Sequence, residues 1–403
     1  MRNVTLTLIA ACMAMGACKK EAANTGLSKD LIETGNYHAF ADSEKILKEA
    51  NPNVLVGAAV NSSLLAEVGS AYREMVKKQY SCLTAENDMK MNALNTSKYV
   101  WNFTAKSTIP QFAKDFHFAR IHGHVLVWHR ALPQHVTDIR TASASNAQKA
   151  DTLRNMMKRH IDKTIAYYTN NFKDVNGQPL VKSWDVVNEA YDDAGALRTG
   201  NTAEGSIWMN YMGESYIETA FRYARQAANA NNNPDLKLFY NDYGHDYSVS
   251  KRNAIYNKVM ALKAITEGGL PIIDGVAMQM HIRYNTPKEN VEAAILKMKQ
   301  TGLKVFIAEL DVNLRSAAEQ DANTVLSAST ITTRELQQKQ LYKDVVEIYT
   351  RIVPVNQRWG ITLWNVGDAD SAWGDDARAC LYDLNYLRKT NFYYFFDGLQ
   401  IRP

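Results

Sequence analysis

Long apolar runs are scarce in this chain. The run that stands out, Val4 to Ala17 behind Arg2, is too short to cross a bilayer as a helix. It reads as a cleaved export signal rather than an anchor helix. Charge of one sign is equally scarce. Lys and Arg number 46 against 42 Asp and Glu, a formal net charge of +4 over 403 residues, and the lysines are scattered along helical faces rather than clustered. That disfavours nucleic acid as a partner. Internal repeats beyond a strand-helix rhythm are missing, as is a second compositional regime that would mark an appended binding module. Cysteines number four. Cys12 and Cys18 fall in the N-terminal segment, and Cys82 and Cys380 could pair after export. The predicted strand around one of them favours two buried thiols over a disulfide. What the chain does have is 46% hydrophobic and 10% aromatic residues, enough for one large core.

Eight apolar, β-branched runs recur along the chain: 54–60, 81–86, 119–128, 181–189, 236–242, 275–281, 305–311 and 360–366. Segments with apolar residues at three- and four-residue spacing lie between them, at 63–78, 151–170, 206–230, 250–268, 289–300 and 332–351. Strand-helix alternation predicts a parallel sheet, and eight repeats predict closure into a (β/α)8 TIM barrel as a single catalytic domain. A doubly wound open sheet shares the periodicity, but it would not aim eight strand ends at one centre. The longest loop-like stretches, 131–149 and 314–330, both follow strands, so both are expected on the catalytic face.

Two of the runs close on a carboxylate. Trp184-Asp185-Val186-Val187-Asn188-Glu189 ends the fourth strand, and Lys304 to Asp311 carries Glu309 at the end of the seventh. A barrel strand delivers a reactive group to the C-terminal rim in this way. Paired carboxylates suit glycosidic bond cleavage, where one group protonates the leaving oxygen and the other meets positive charge at the anomeric carbon. A lone Asn-Glu after a strand is more often a loop start or a helix cap; the pair inside a barrel pattern reverses that reading. Side chains two apart share a strand face, so Gln279 is expected beside His281, and Glu309 beside Asp311.

The N-terminal Met15-Gly16-Ala17-Cys18 resembles a bacterial lipoprotein cleavage site, with Cys12 as a competing position. The expected division is a signal at 1–17, a polar tether at 18–35 and a catalytic domain at 36–403. Lipidation of Cys18 would tie the chain to a membrane, at the outer membrane or cell surface; without it the product would be periplasmic or secreted.

An ordered series of motifs resembles glycoside hydrolase family 10, the β-1,4-xylanases, over roughly Asn36 to Leu399. The motifs are Thr84 to Lys90, His122 to His129, Trp184 to Ala190, Leu238 to Tyr243, Gln279-Met280-His281, Ile307 to Asp311 and Thr362-Leu363-Trp364. The resemblance implies a retaining endo-acting hydrolase of xylan, without metal or organic cofactor. Glu189 would be the acid/base and Glu309 the nucleophile, with their carboxyl groups about 5 to 5.5 Å apart. The charge on Glu309 would keep the resting proton on Glu189. By the same resemblance His281 bonds the nucleophile and is held by Asp311, and Asn188 reaches the sugar 2-hydroxyl. Substrate binding falls to Glu86, Asn87, Lys90, His124, Trp128, His129, Asn241, Tyr243, Gln279, Trp364 and Trp373. Trp101, Trp208 and Trp359 match no binding motif and are expected in the core.

The chain departs from the family pattern at several places. Ala131, preceded by Arg130, stands where a glycone-side glutamine is usual. Met91 replaces a common aromatic, Gly244-His245 an asparagine, and Asn365 a glycine. Trp373 lies nine residues after Trp364 rather than eight. These changes bear on specificity, so a β-glycanase acting on mixed-linkage xylan or β-glucan stays open. A non-catalytic glycan-binding lipoprotein is the reading from another class, and the paired acid and nucleophile speak against it.

Overall fold

The computed structural model describes residues 45–401 apart from 201 and 203; the signal, the tether and Cys18 lie outside the described residues. The eight expected runs form β1 Val56–Val60, β2 Cys82–Ala85, β3 Arg120–Gly123, β4 Val181–Asn188, β5 Lys237–Asp242, β6 Gly275–Met278, β7 Lys304–Asn313 and β8 Arg358–Leu363. Each pairs in parallel with the next, and β8 pairs with both β7 and β1, so the sheet closes. The principal helices that follow are α1 Ala71–Gln79, α2 Thr108–Asp115, α3 Asn146–Asn171, α4 Ser215–Ala230, α5 Val249–Lys263, α6 Lys288–Lys299, α7 Ala328–Ile352 and α8 Thr390–Gln400. This is the (β/α)8 barrel, built as one catalytic domain.

Burial on both strand faces explains the apolar runs: β1, β2 and β3 are buried throughout. Inside the cylinder, His122 on β3 meets the rings of Phe239 on β5 and Phe306 on β7 edge-on, at 5.7 and 4.9 Å. Residues of alternate strands touch in this way when they fill one interior layer. Gly275 on β6 leaves room for that layer, because a Cβ there would lie 2.1 Å from the Phe239 ring.

Several boundaries differ from the sequence-based expectation. The third strand leaves the ladder after Gly123, and an isolated bridge at Val127–Val187 is its remaining pairing beyond that point. The expected helix 206–230 is broken at Gly213, whose φ of 67° lies in the left-handed region that glycine tolerates. The helix expected over 63–78 splits into Ser62–Ala66 and Ala71–Gln79, because Ser70 caps a new start by accepting from the Arg73 N–H. The helix expected to reach 268 stops at Lys263, and a two-stranded hairpin, Thr266–Glu267 with Leu270–Pro271, follows it. The two long loop stretches contain short helices at Gln134–Thr137, Asp138–Arg140 and Ala317–Asp321, and their later residues already belong to α3 and α7. Cys82 and Cys380 are both buried and unpaired. Among the described residues no helix is long and apolar enough to cross a membrane.

Candidate active site

The ends of β4 and β7 are bent locally. The β4–β5 register shifts between Asp185 and Val187, and the β7–β8 register between Ile307 and Leu310. Such irregularities re-aim side chains beside functional sites. Glu189 itself has φ 52°, a left-handed conformation costing about 1 to 3 kcal/mol for a residue with a side chain. Two hydrogen bonds hold that backbone: the Glu189 N–H donates to Asn241 O at 3.0 Å, and Arg198 Nε donates to Glu189 O at 3.1 Å.

Glu309 is buried, and both of its oxygens are engaged. Asn241 Nδ2 donates to Oε1 at 2.8 Å, and His281 Nε2 lies 3.1 Å from Oε2. The other ring nitrogen of His281 meets Asp311 Oδ2 at 2.7 Å, and Trp373 Nε1 donates to the same oxygen at 2.7 Å. Burial works against charge on His281, but Asp311 and Glu309 overcome it and push its pKa up to about 10. Burial would raise the Glu309 carboxyl; the His281 bond and the nearby His124 outweigh it and hold the carboxyl below its ordinary value. The chain of contacts therefore stabilises an ionised Glu309 beside an imidazolium.

Glu189 is half-buried and receives neutral donors. Trp128 Nε1 donates to Oε2 and Gln279 Nε2 to Oε1, both at 2.9 Å. Gln279 also donates to Asn188 Oδ1 at 3.2 Å. Gln279 and His281 both reach the site, but simple alternation is not the reason. Met280, with φ 62°, interrupts β6, and the chain resumes as His281–Arg283 paired with Asp311–Asn313 of β7.

The remaining expected residues form the surrounding wall. Lys90 Nζ donates to Asn87 Oδ1 at 2.9 Å and stands 5.3 Å from the centre of the Trp128 ring. Burial lowers the Lys90 pKa while Glu309, Glu86 and Glu189 pull it back, so this amine feels both strand-end glutamates. Glu86 is shifted up by burial, against the pull of Lys90. Trp364 and Trp373 meet the His281 ring edge-on at 6.1 and 5.4 Å. Tyr243 accepts from Arg198 Nη2 at 2.6 Å. His124 Nδ1 is bonded to Asp185 Oδ2 at 2.9 Å. His124, Asp185 and Glu309 carry potential metal-ligand atoms within 4.8 Å of one another, yet His124 Nδ1, Asp185 Oδ2 and both Glu309 oxygens already have protein partners. His129 is buried edge-on to Trp128, with both ring nitrogens shielded and unpartnered.

The profile described as Glycosyl hydrolase family 10 matches residues 45–397. The chain belongs to glycosyl hydrolase family 10. It is 31% identical over 399 residues to the endo-beta-1,4-xylanase Xyn10C of Cellvibrio japonicus, covering 94% of this chain and 62% of that protein. It is 30% identical over 349 residues to the endo-1,4-beta-xylanase A of Thermoanaerobacterium saccharolyticum, covering 86% of this chain and 26% of that one. The chain thus spans less than two thirds of either curated relative. Among solved structures, xylanase 10C from Cellvibrio japonicus in complex with xylopentaose superposes with a TM-score of 0.74 at 30% identity, covering 88% of this chain and 69% of the other. A xylanase of Thermoanaerobacterium saccharolyticum in complex with xylotetraose gives 0.72 at 27% identity, covering 87% and 97%.

Two contributors to this family 10 site, Asp185 and Arg198, were not singled out from sequence, and a third, Asn365, was noted only as standing where glycine is usual. Asp185 gathers His122, His124 and Asn241 beneath Glu309. Burial opposes its ionisation, and the two histidines outweigh burial and hold it below the ordinary range. Its place in the Trp184–Glu189 run was the available signal. Arg198 joins Glu189 to Tyr243, and nothing local in the sequence marks it. Asn365 has φ 69°, which accounts for the glycine usual there; asparagine is among the few side-chain-bearing residues that adopt this conformation readily.

Proposed function

We propose that this chain is a retaining endo-β-1,4-xylanase with Glu309 as nucleophile and Glu189 as acid/base. The observation that carries this reading is the unequal treatment of the two carboxylates. Glu309 is held ionised by His281, whereas Glu189 sits among neutral donors at the other strand end. In the first step a Glu309 oxygen bonds to the anomeric carbon as the glycosidic C–O bond breaks, and the Glu189 proton passes to the leaving oxygen. The ester carries no charge, so Glu189 then faces a neutral group and accepts a proton from the incoming water. The water oxygen bonds to the anomeric carbon, the ester bond breaks, and Glu309 regains its charge. Asn188, oriented by Gln279, is assigned to the sugar 2-hydroxyl. The relatives named as xylanases and the complexes with xylo-oligosaccharides support xylan as the polymer.

A second reading, a β-glycanase acting on mixed-linkage xylan or β-glucan, is favoured by Ala131. A small residue at a usual glutamine position enlarges the glycone side, and xylose differs from glucose by lacking an exocyclic hydroxymethyl group. Reducing-sugar release from linear xylan, mixed-linkage xylan and β-glucan separates the two, together with NMR of the first product anomer. Activity on xylan with the β-anomer appearing first is expected. No release from any xylan, or a first α-anomer, would overturn the assignment.

The cellular setting is part of the proposal: export through the Val4–Ala17 segment and lipid attachment at Cys18. The basic Arg2, the short apolar run and the small residues before Cys18 support it. Metabolic labelling with a radiolabelled fatty acid should mark the wild type and not Cys18→Ser. Equal labelling of both would remove Cys18 as the site.

A further inference from the structure

We propose that a cavity between the 95–101 segment and helix α3 is a second, non-catalytic glycan site that takes a xylan stretch bearing carboxylate side groups. The proposal rests on xylan being the polymer this chain handles. The cavity measures about 500 Å³, within the range of small-ligand sites. Trp101, expected to be a core residue, lines it with Tyr99 and Met156.

The charge of the lining is lopsided. Lys158 is paired with Asp162 at 2.6 Å, while Lys98, Arg159 and Lys163, which also line the cavity, have no carboxylate within ion-pair reach among the described residues. The Arg159 guanidinium carbon stands 4.1 Å from the centre of the Tyr99 ring, and Lys98 Nζ 5.3 Å. Tyr99 is 60% exposed and held at φ 71°, a conformation that bulky side chains avoid and that tends to mark functional positions. Two donor or acceptor atoms at the cavity lack partners: Trp101 Nε1 and His135 Nδ1 are shielded and unbonded. The His135 ring is fixed through Nε2 and Asn95 Oδ1 at 3.0 Å. Buried polar atoms without partners call for a ligand or water.

Aromatic faces suit the C–H surfaces of sugar rings, indole and imidazole nitrogens suit hydroxyls, and a guanidinium fork matches a carboxylate. The position fits a polymer as well. The cavity segment follows directly on the short helix Met91–Leu94, which begins after Lys90, and Asn92 N–H donates to Ala131 O at 2.9 Å. One stretch of chain thus serves the glycone wall and this cavity in turn.

The test is affinity electrophoresis of the full chain carrying Glu309→Ala, with the cleft saturated by neutral xylohexaose, in gels of glucuronoxylan, neutral linear xylan or polygalacturonate. Adding Lys98→Gln, Arg159→Gln and Lys163→Gln together, all at exposed positions, should weaken retention by glucuronoxylan at least about fivefold and leave neutral xylan nearly unchanged. Tyr99→Ala alone should weaken retention by glucuronoxylan as well. Unchanged retention of the triple variant would overturn the proposal, and so would equally strong retention of the parent by polygalacturonate, which offers carboxylates without a xylan backbone. The triple variant with Glu309 intact should cleave xylotetraose at the parent rate. Failure of the parent itself to cleave xylotetraose would count against the xylanase reading, and it would be seen in an assay that does not involve this cavity.

Discussion

Glu309 and Glu189 both complete apolar barrel strands, and their surroundings differ in kind. Around Glu309 the protein has gathered charge. An imidazolium touches one oxygen, Asn241 holds the other, and a second carboxylate, Asp311, anchors the imidazolium from behind. Around Glu189 the partners are an indole and an amide, the side chain is half-exposed, and the backbone is held in a left-handed turn. Charged donors favour the ionised form of a carboxylate. In the proposed reaction the same residue type is thereby divided between nucleophile and proton carrier by its surroundings.

Removing the charged member should break the comparison most completely. Glu309→Ala is expected to lower kcat on xylan by about 10⁴-fold or more while xylo-oligosaccharide binding stays measurable by calorimetry, since the wall residues remain. Near-normal turnover would take the nucleophile role away from Glu309.

Removing the neutral-donor member should give a selective loss. Glu189→Ala should slow xylan hydrolysis by about 10² to 10⁴-fold, because a sugar leaving group needs its proton. An aryl xyloside with a good leaving group needs little acid help, so formation of the intermediate should be far less affected, and added azide should restore turnover by replacing activated water. Equal loss on both substrates without azide rescue would mean that Glu189 does not carry the proton.

The comparison can be sharpened at His281, which makes the Glu309 side charged. His281→Gln keeps a hydrogen-bonding group but no charge, and should cost about 10²-fold in kcat/KM through misplacement and lost charge. The His281 bond helps hold the Glu309 pKa down, so its removal should move the acid limb of the kcat/KM profile to higher pH. Stability gives a second readout. Folded His281 titrates at about 10 against an ordinary value of 6.5. Its stabilising contribution is therefore complete below pH 6.5 and is lost as pH rises towards 10. The Tm difference between wild type and His281→Gln should shrink over that window; a difference constant from pH 6 to 10 would contradict an imidazolium at this position.

Much of this asymmetry was legible in the chain itself. Two-faced burial makes barrel strands read as apolar β-branched runs, so a run closing on Glu189 or Glu309 marks a rim carboxylate, and the motif order adds His281 and Asp311. Tertiary pairing stayed hidden. Apolar periodicity continues through Gly213, and only its φ reveals the break. Arg198 reaches Glu189 and Tyr243 from a segment with no pattern of its own. Trp101 matches no binding motif and was expected in the core; the cavity it lines is assembled from residues as far apart as Asn95 and Lys163, a juxtaposition that local spacing does not encode.

The smallest expected effect lies beyond both glutamates, on the glycone wall. Ala131 has φ 50° and accepts from Asn92 N–H through its carbonyl, so the backbone is held in a left-handed turn that a longer side chain must share. Arg130 beside it is turned to Glu204, with Nη2 2.5 Å from both carboxylate oxygens, and does not replace a glutamine amide. A lost hydrogen bond to a sugar hydroxyl is worth about 0.5 to 1.5 kcal/mol, and binding energy away from the cleaved bond can be expressed in the transition state. Ala131→Gln should therefore raise kcat/KM on xylotetraose several-fold if this site is a linear-xylan site lacking one contact. If the wall is instead shaped for a bulkier sugar, as the β-glycanase reading requires, the added side chain should lower activity on mixed-linkage substrates and leave xylotetraose no better. Because the substitution touches neither Glu309 nor Glu189, the acid and alkaline limbs of the pH profile should stay in place in either case; a displaced limb would show that the glycone wall and the charged pair are not independent.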